Sequence, residues 1–230
     1  MEECIGMNGG GGSGEPCIAS MVDYGSVESK RLYMARRTVV EMLIDRGYMV
    51  ANAEVELSRT LSDFRAVFGE KPEVDQLRLI AGRASNPSRK ILVLFSENIE
   101  IRKKNMVYLL SQIMNKEMLD KVILILQNKM NSYARKVADE HSVKVEIFPI
   151  SDLLVNITKH VHMPKHEILT AEEKLQLLKK YAVESKQLPI MLENDAISRY
   201  YGLVKGQIVK VSYGGGGVIP DAMVTYRCVG

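Results

Sequence analysis

The sequence has no tryptophan, and aromatic residues of all kinds make up only 6% of it. Stacking of bare bases on aromatic platforms is therefore a poor candidate for its main task. Cysteine is scarce too. Cys4, Cys17 and Cys228 form no C-x-x-C pair, and an odd count argues against a disulfide framework or a thiolate zinc site. No apolar run approaches the ~18 residues that cross a bilayer, so no membrane association is expected. Glu2, Glu3 and then glycines open the chain, the wrong order for a secretory signal. A cytosolic or nuclear protein is expected. Charge of one sign is also missing: 31 Lys and Arg against 28 Asp and Glu leave +3. That excludes a histone-like or tail-like nucleic-acid binder, though not a protein that meets DNA at one patch.

What is present is ordinary for a folded chain: 230 residues, 46% hydrophobic and 26% charged. This suffices for one large domain or two small ones. Residues 1–25, with Gly9 to Gly12, Ser13 and Gly14, read as a flexible Gly-rich tail. Residues 27–46 carry Leu32, Ala35, Val39, Met42 and Leu43 on one helical face, and Gly47 is placed to close the helix. A second helix fits 62–68, with Gly69 after it. The two read as a small helical lobe. Strands are expected at 77–81, 91–95, 122–126 and 143–147, with helices through 106–114 and 133–139. The continuous apolar runs at 91–95 and 122–126 are those of strands covered on both faces. The alternation implies an α/β domain with a largely parallel βαβ sheet, ending near Pro149. The first domain is thus 26–150.

Composition shifts at about residue 150. Residues 153–156 read as a short helix or turn, and 160–166 as irregular. Thr170 and Glu173 form a capping box for a helix whose Leu175, Leu177, Leu178, Tyr181 and Ala182 share one side. Asp195 caps a short helix stopped at Gly202. Ile208, Val209 and Val211 form a strand that pairs with Met223, Val224, Tyr226 and Cys228 across Gly214–Gly217. This gives a compact α+β module at 151–230.

The chemistry-bearing candidates are few. His160, His162 and His166 would offer three imidazoles to zinc, but the spacing suits neither a helix face nor a strand face, and loop packing is the better reading. A metal-dependent nuclease of the acid-x-Lys class needs a second acid one strand after the first. Asp75 would serve as the first, yet Lys90-Ile91-Leu92-Val93-Leu94 carries no such pair. There is no G-x-S-x-G and no phosphate loop. No cofactor is expected, and binding is favoured over catalysis. Among basic residues, Arg31, Arg36 and Arg37 line the polar side of the first helix, and Arg102, Lys103 and Lys104 form a run. A solvated face is the default for each, and a non-specific phosphate-backbone contact the sharper reading.

A resemblance then carries more. It runs through Asp152-Leu153-Leu154-Val155-Asn156-Ile157-Thr158-Lys159-His160-Val161, Leu169-Thr170-Ala171-Glu172-Glu173-Lys174, Lys186-Gln187-Leu188-Pro189, Arg199-Tyr200-Tyr201-Gly202-Leu203 and Gly206-Gln207-Ile208-Val209-Lys210. These stretches closely resemble the fifth subunit shared by eukaryotic nuclear DNA-directed RNA polymerases, whose C-terminal part is similar to an archaeal polymerase subunit. Lys30-Arg31-Leu32-Tyr33 and 42–48 extend the resemblance to about 27–229. It implies a non-catalytic subunit of the nucleus in two parts. One is an N-terminal jaw of nuclease-like topology near downstream duplex DNA, and the other a C-terminal assembly domain that docks on the largest subunit beside the other subunits. His160, Pro164, His166, Tyr200, Tyr201, Gly202 and Gly206 match the family's positions in that domain; with Leu153, Leu154, Val155, Asn156 and Gln207 they are the candidate polymerase-core contacts, and the basic residues above are the candidates nearest DNA. The docking face is expected on residues 153–161, 207–211 and 223–229. Ile190 and Met191 after Pro189, Ala196 after Asp195, and four glycines after Ser212-Tyr213 depart from the usual family pattern. With Asp63-Phe64-Arg65 and the ending Arg227-Cys228-Val229, these departures resemble the divergent plant branch that serves polymerase V in RNA-directed DNA methylation.

Overall fold

The computed structural model describes residues 23, 25–113, 116–213 and 223–230. The glycines of 9–14, Cys4, Cys17 and the Gly214–Gly217 connection lie outside them. Helix α1 spans Val27–Asp45, capped by the Ser26 hydroxyl, which accepts from the Ser29 amide. Leu32, Ala35, Val39, Met42 and Leu43 are fully buried on it, and Gly47 follows at φ +79°, the left-handed region that a side chain would strain. Strand β1 (Tyr48–Val50) and helices α2 (Ala53–Ser58) and α3 (Leu61–Phe68) come next. Thr60 and Asp63 close a capping box on α3. Arg65 of α3 also grips Asp23, holding its carboxyl down to about 2.

Strands β2 (Leu79–Arg83) and β3 (Asn86–Phe95), helix α4 (Lys103–Ser111), β4 (Leu119–Leu126), helix α5 (Ser132–Asp139) and β5 (Lys144–Pro149) complete a five-stranded sheet in the order β1-β2-β3-β4-β5. β3, β4 and β5 are parallel, while β1 with β2 and β2 with β3 are antiparallel. The sheet is therefore mixed rather than largely parallel. Its hairpin leaves no mark in the sequence because the first half of β3, Asn86-Pro87-Ser88-Arg89, is exposed and polar, with no apolar alternation to signal a strand. β1 and α2 are too short to leave a periodic signal.

Both faces of the parallel strands are covered, as the unbroken apolar runs required. Ile91, Val93, Phe95, Ile123 and Ile125 pack under α1 with Phe64 and Leu77. Leu92, Leu94, Val122, Leu124 and Leu126 pack under α4 and α5 with Met106, Leu110 and Ala134. The first helices are thus one layer of the sheet's own core, not a separate lobe. That cluster also takes in Ile150, Leu153 and Tyr200 from the second half of the chain.

The second half opens with short 3-10 turns at Ile150–Leu153 and Ile157–Lys159. It continues through β6 (Lys165–Ile168), α6 (Ala171–Tyr181), β7 (Ile190–Met191), α7 (Ala196–Tyr201), β8 (Ile208–Tyr213) and β9 (Met223–Val229). The sheet order is β6-β8-β9-β7, with β7 parallel to β9. The Thr170–Glu173 box caps α6. Only Leu177 of that helix is buried, while Leu175 and Tyr181 are exposed, so the expected five-residue apolar face meets the module by one row only. Among the described residues no helix is long and apolar enough to cross a membrane.

Candidate functional site

Residues 153–161 run along α1. Asn156 starts the second 3-10 turn, its side-chain oxygen accepting from the Thr158 amide at 3.0 Å and hydroxyl at 2.7 Å. Its amide group donates to Glu41 at 2.8 Å and to the Tyr200 hydroxyl at 3.1 Å. Tyr200 in turn donates to Asp45 at 2.7 Å, and Lys159 pairs with Glu41 at 2.6 Å. Burial and then the Asp45 carboxylate push the Tyr200 hydroxyl well above the ordinary tyrosine range. This polar network pins the segment onto α1, as buried polar groups need partners.

The expected contact residues therefore separate. Leu153, Asn156 and Tyr200 are buried within this chain, so their side chains are already used and they do not form an outer surface. Leu154 and Tyr201 are half-buried against the core under α1. Gly202 (φ +63°) and Gly206 (φ +86°) make tight turns, and Gln207 caps the second by accepting from the Val204 amide at 2.8 Å. His166 sits half-buried on β6, its imidazole held below the ordinary histidine value by burial. His160 is exposed, its Nδ1 accepting from the His162 amide. Among the described residues no group of three His, Cys, Asp or Glu side chains stands ready for a metal.

What faces outward is apolar all the same. Val155 is 64% exposed and Val161 88%. They edge a groove of about 500 Å³ whose other wall is Tyr33, Met34 and Arg37 of α1. On the far side of the module Met223 is 61% exposed, with Val224, Ile190 and Leu192 also exposed, while Ile208, Val209 and Val211 of β8 are buried, the two valines within the module's own core. Of the hairpin, the start of β9 rather than β8 carries the exposed apolar side chains.

The basic candidates do not converge. Arg36 is a correction: it is 7% exposed, pairs with Glu56 at 2.8 Å and donates to the Leu77 carbonyl. Its guanidinium lies over Phe68, so its stem packs and its charge is spent inside. Arg31 is half-buried, and Arg37 is exposed beside Glu41 at 3.7 Å. Both are on α1, across the sheet from α4, where Arg102, Lys103 and Lys104 stand exposed. Arg102 is partly neutralised by Glu100 at 3.1 Å. The loops after β3 and β4 are tied together by the Ile101–Met130 bridge, with the Ile101 amide on the Lys129 carbonyl and the Asn131 amide on the Ile101 carbonyl. Asn131 then caps α5. This lock brings exposed Lys129, Arg135 and Lys136 to the same sheet edge as Lys103 and Lys104, cations that the sequence does not group because they are remote in the chain. Asp75 and Glu97 line a groove nearby with Phe95, Tyr108 and Lys104.

The arrangement is one exposed apolar groove beside α1 and, apart from it, a set of exposed cations near the starts of α4 and α5. The comparisons make it specific. Residues 155–229 match the family described as RNA polymerase Rpb5, C-terminal domain, and 26–113 match RNA polymerase Rpb5, N-terminal domain. The chain is 52% identical over 216 residues to DNA-directed RNA polymerase V subunit 5C of Arabidopsis thaliana, covering 94% of this chain and 91% of that one. It is 42% identical to DNA-directed RNA polymerases IV and V subunit 5B of the same plant, covering 94% and 97%. It is 33% identical to DNA-directed RNA polymerases I, II, and III subunit RPABC1 of Caenorhabditis elegans, covering 80% and 90%. The chain belongs to the Rpb5 family of RNA polymerase subunits, and within it is similar to the variants of plant polymerases IV and V.

Proposed function

We propose that this chain is the Rpb5-type structural subunit of a nuclear polymerase of the polymerase V kind, in which it contributes architecture rather than nucleotidyl transfer. The observation that carries this is the 52% identity over nearly the whole length to a polymerase V subunit, against 33–34% to the shared subunits of polymerases I, II and III. The proposed division is a jaw over residues 26–150 and an assembly domain over 151–230. The assembly domain docks on the largest subunit through Val155, Val161 and the Met223 end of β9, where exposed apolar side chains would be removed from water. The loop-lock edge, with Lys103, Lys104 and Lys129, is the side that meets downstream duplex DNA, weakly and through phosphates without reading sequence.

The nuclease-like topology of the jaw is proposed as a likeness of outline only. Asp75 has an exposed 3-10 position, and the strand where a second acid and its Lys would stand is Ile91 to Phe95, buried and apolar. Magnesium-dependent cleavage of duplex DNA is expected not to rise above background. The test of the whole reading is affinity purification of the tagged chain from nuclear extract with mass spectrometry. Recovery of the largest subunit of polymerase V is the expected result. Recovery of those of polymerases I, II and III instead would make this a shared subunit, the second reading that the RPABC1 similarity supports.

A further inference from the structure

We infer that Arg46 is a positioning residue for the angle between the two sheets, which the shared core and the Asn156 network by themselves leave loose. It stands one residue past α1, on the N-terminal side of the molecule, with its side chain only 3% exposed. Its Nε donates to the Tyr200 carbonyl at 2.7 Å, Nη2 to the Arg199 carbonyl at 2.7 Å, and Nη1 to the Glu146 carboxylate at 2.8 Å. The two carbonyls lie in the last turn of α7, where a helix carries partial negative charge; that of Arg199 also accepts from the Gly202 amide at 3.0 Å. Glu146 is on β5. It is held from the other side by Lys121 of β4 at 2.8 Å, whose ammonium also approaches the Gly202 carbonyl at 3.4 Å. Two cations from the first half, one at the end of α1 and one on β4, thus grasp the end of a helix that belongs to the second half.

The seat is shaped for this group. A Cβ at Gly202 would come within 3.0 Å of the Arg46 guanidinium, so the left-handed glycine that stops α7 also makes room for the clasp. A planar guanidinium reaches three acceptors in three directions, and a lysine ammonium on a flexible stem does not reproduce that. Around it, Arg199 lies over Phe148 at 4.6 Å and donates to the Ile147 carbonyl at 2.8 Å. The connection itself consists of short 3-10 turns and a non-helical stretch before β6. Under the subunit reading above, on which the functional meaning rests, the clasp aims the basic edge relative to the docking face before assembly.

The test uses the free full-length chain, so its outcome is independent of polymerase binding. Residual dipolar couplings of backbone amides in 48–149 and in 165–229 are expected to fit one alignment tensor in the natural protein. In Arg46→Ala, with both units still showing dispersed amide signals, they are expected to need two. Arg46→Lys is expected to lose the shared tensor as well, although it keeps the charge. A single tensor in both folded variants overturns the proposal. If Arg46→Ala does not fold, Glu146→Gln decides. It leaves the carbonyl contacts and removes the anion between the cations, and a tensor shared as fully as in the natural protein overturns the proposal there.

Discussion

The two halves of the molecule solve the problem of burying apolar surface differently. The five-stranded sheet is closed by its own chain on both faces, with α1 and α3 on one side and α4 and α5 on the other. Among the described residues the four-stranded sheet is not. Its core among the described residues is a small cluster of Met191, Ile197, Leu203, Val209, Val211 and Val229, and Leu175, Tyr181, Ile190, Leu192 and Met223 remain exposed around it. The larger core belongs to the first half, and Ile150, Leu153 and Tyr200 of the second half are anchored in it. The second half, with more apolar surface left in water, is the part proposed above to meet a larger companion.

The comparison can be broken at its strongest point first. Ile123→Ala, in the fully buried centre of the first sheet, is expected to lower stability in urea unfolding by about 2–5 kcal/mol. A smaller loss would mean that the first core is looser than its packing indicates. Thr170→Ala removes one half of the α6 capping box and is expected to cost about 0.5–2 kcal/mol, a milder effect in the unit that relies less on its own interior. On stability the smallest effect belongs to the proposed docking face. Val155→Ser with Val161→Ser is expected to change the free chain by no more than about 0.5 kcal/mol while reducing recovery of the largest polymerase subunit in affinity purification. Leu154→Asp would be a poorer probe, because Leu154 packs against the first core and a charge there strikes folding as well as docking.

Acid sharpens the same contrast at the junction. Burial alone would raise the Glu146 carboxyl, but Arg46 and Lys121 more than offset it and hold the group below its ordinary value of 4.5. A carboxylate with a depressed folded value contributes stability that is complete above the unfolded value and is lost as pH falls through the folded one. The natural chain is therefore expected to lose more stability below pH 4.5 than Glu146→Gln does. Equal acid profiles in chemical unfolding would show that the carboxylate adds nothing there.

Much of the first core was legible without coordinates. The apolar runs at 91–95 and 122–126 imply strands covered on both sides because only such a position makes every residue of a strand apolar. The 27–46 periodicity gives α1 and its buried row. Less was legible in the hairpin, since Pro87, Ser88 and Arg89 carry no alternation, and in α6, where a row of leucines at helical spacing is met by only one neighbour. At the candidate site, residue type misled where burial decided. Arg36 looks like its neighbour Arg37 in the chain, and the helix turn alone sends one inward to Glu56 and the other to solvent. Leu153 and Val155 are equally apolar, yet one closes the first core and the other is left outside.

The sequence by itself determined the local elements and the family, because helix periodicity, capping boxes and long motifs are written in neighbouring residues. Only the tertiary structure decided which side chains are free to meet a partner, and which cations share an edge. It alone joined Arg46 to the end of a helix more than 150 positions away. Those outcomes depend on groups distant in the chain competing for the same buried space, and that competition is resolved only when the whole chain is packed.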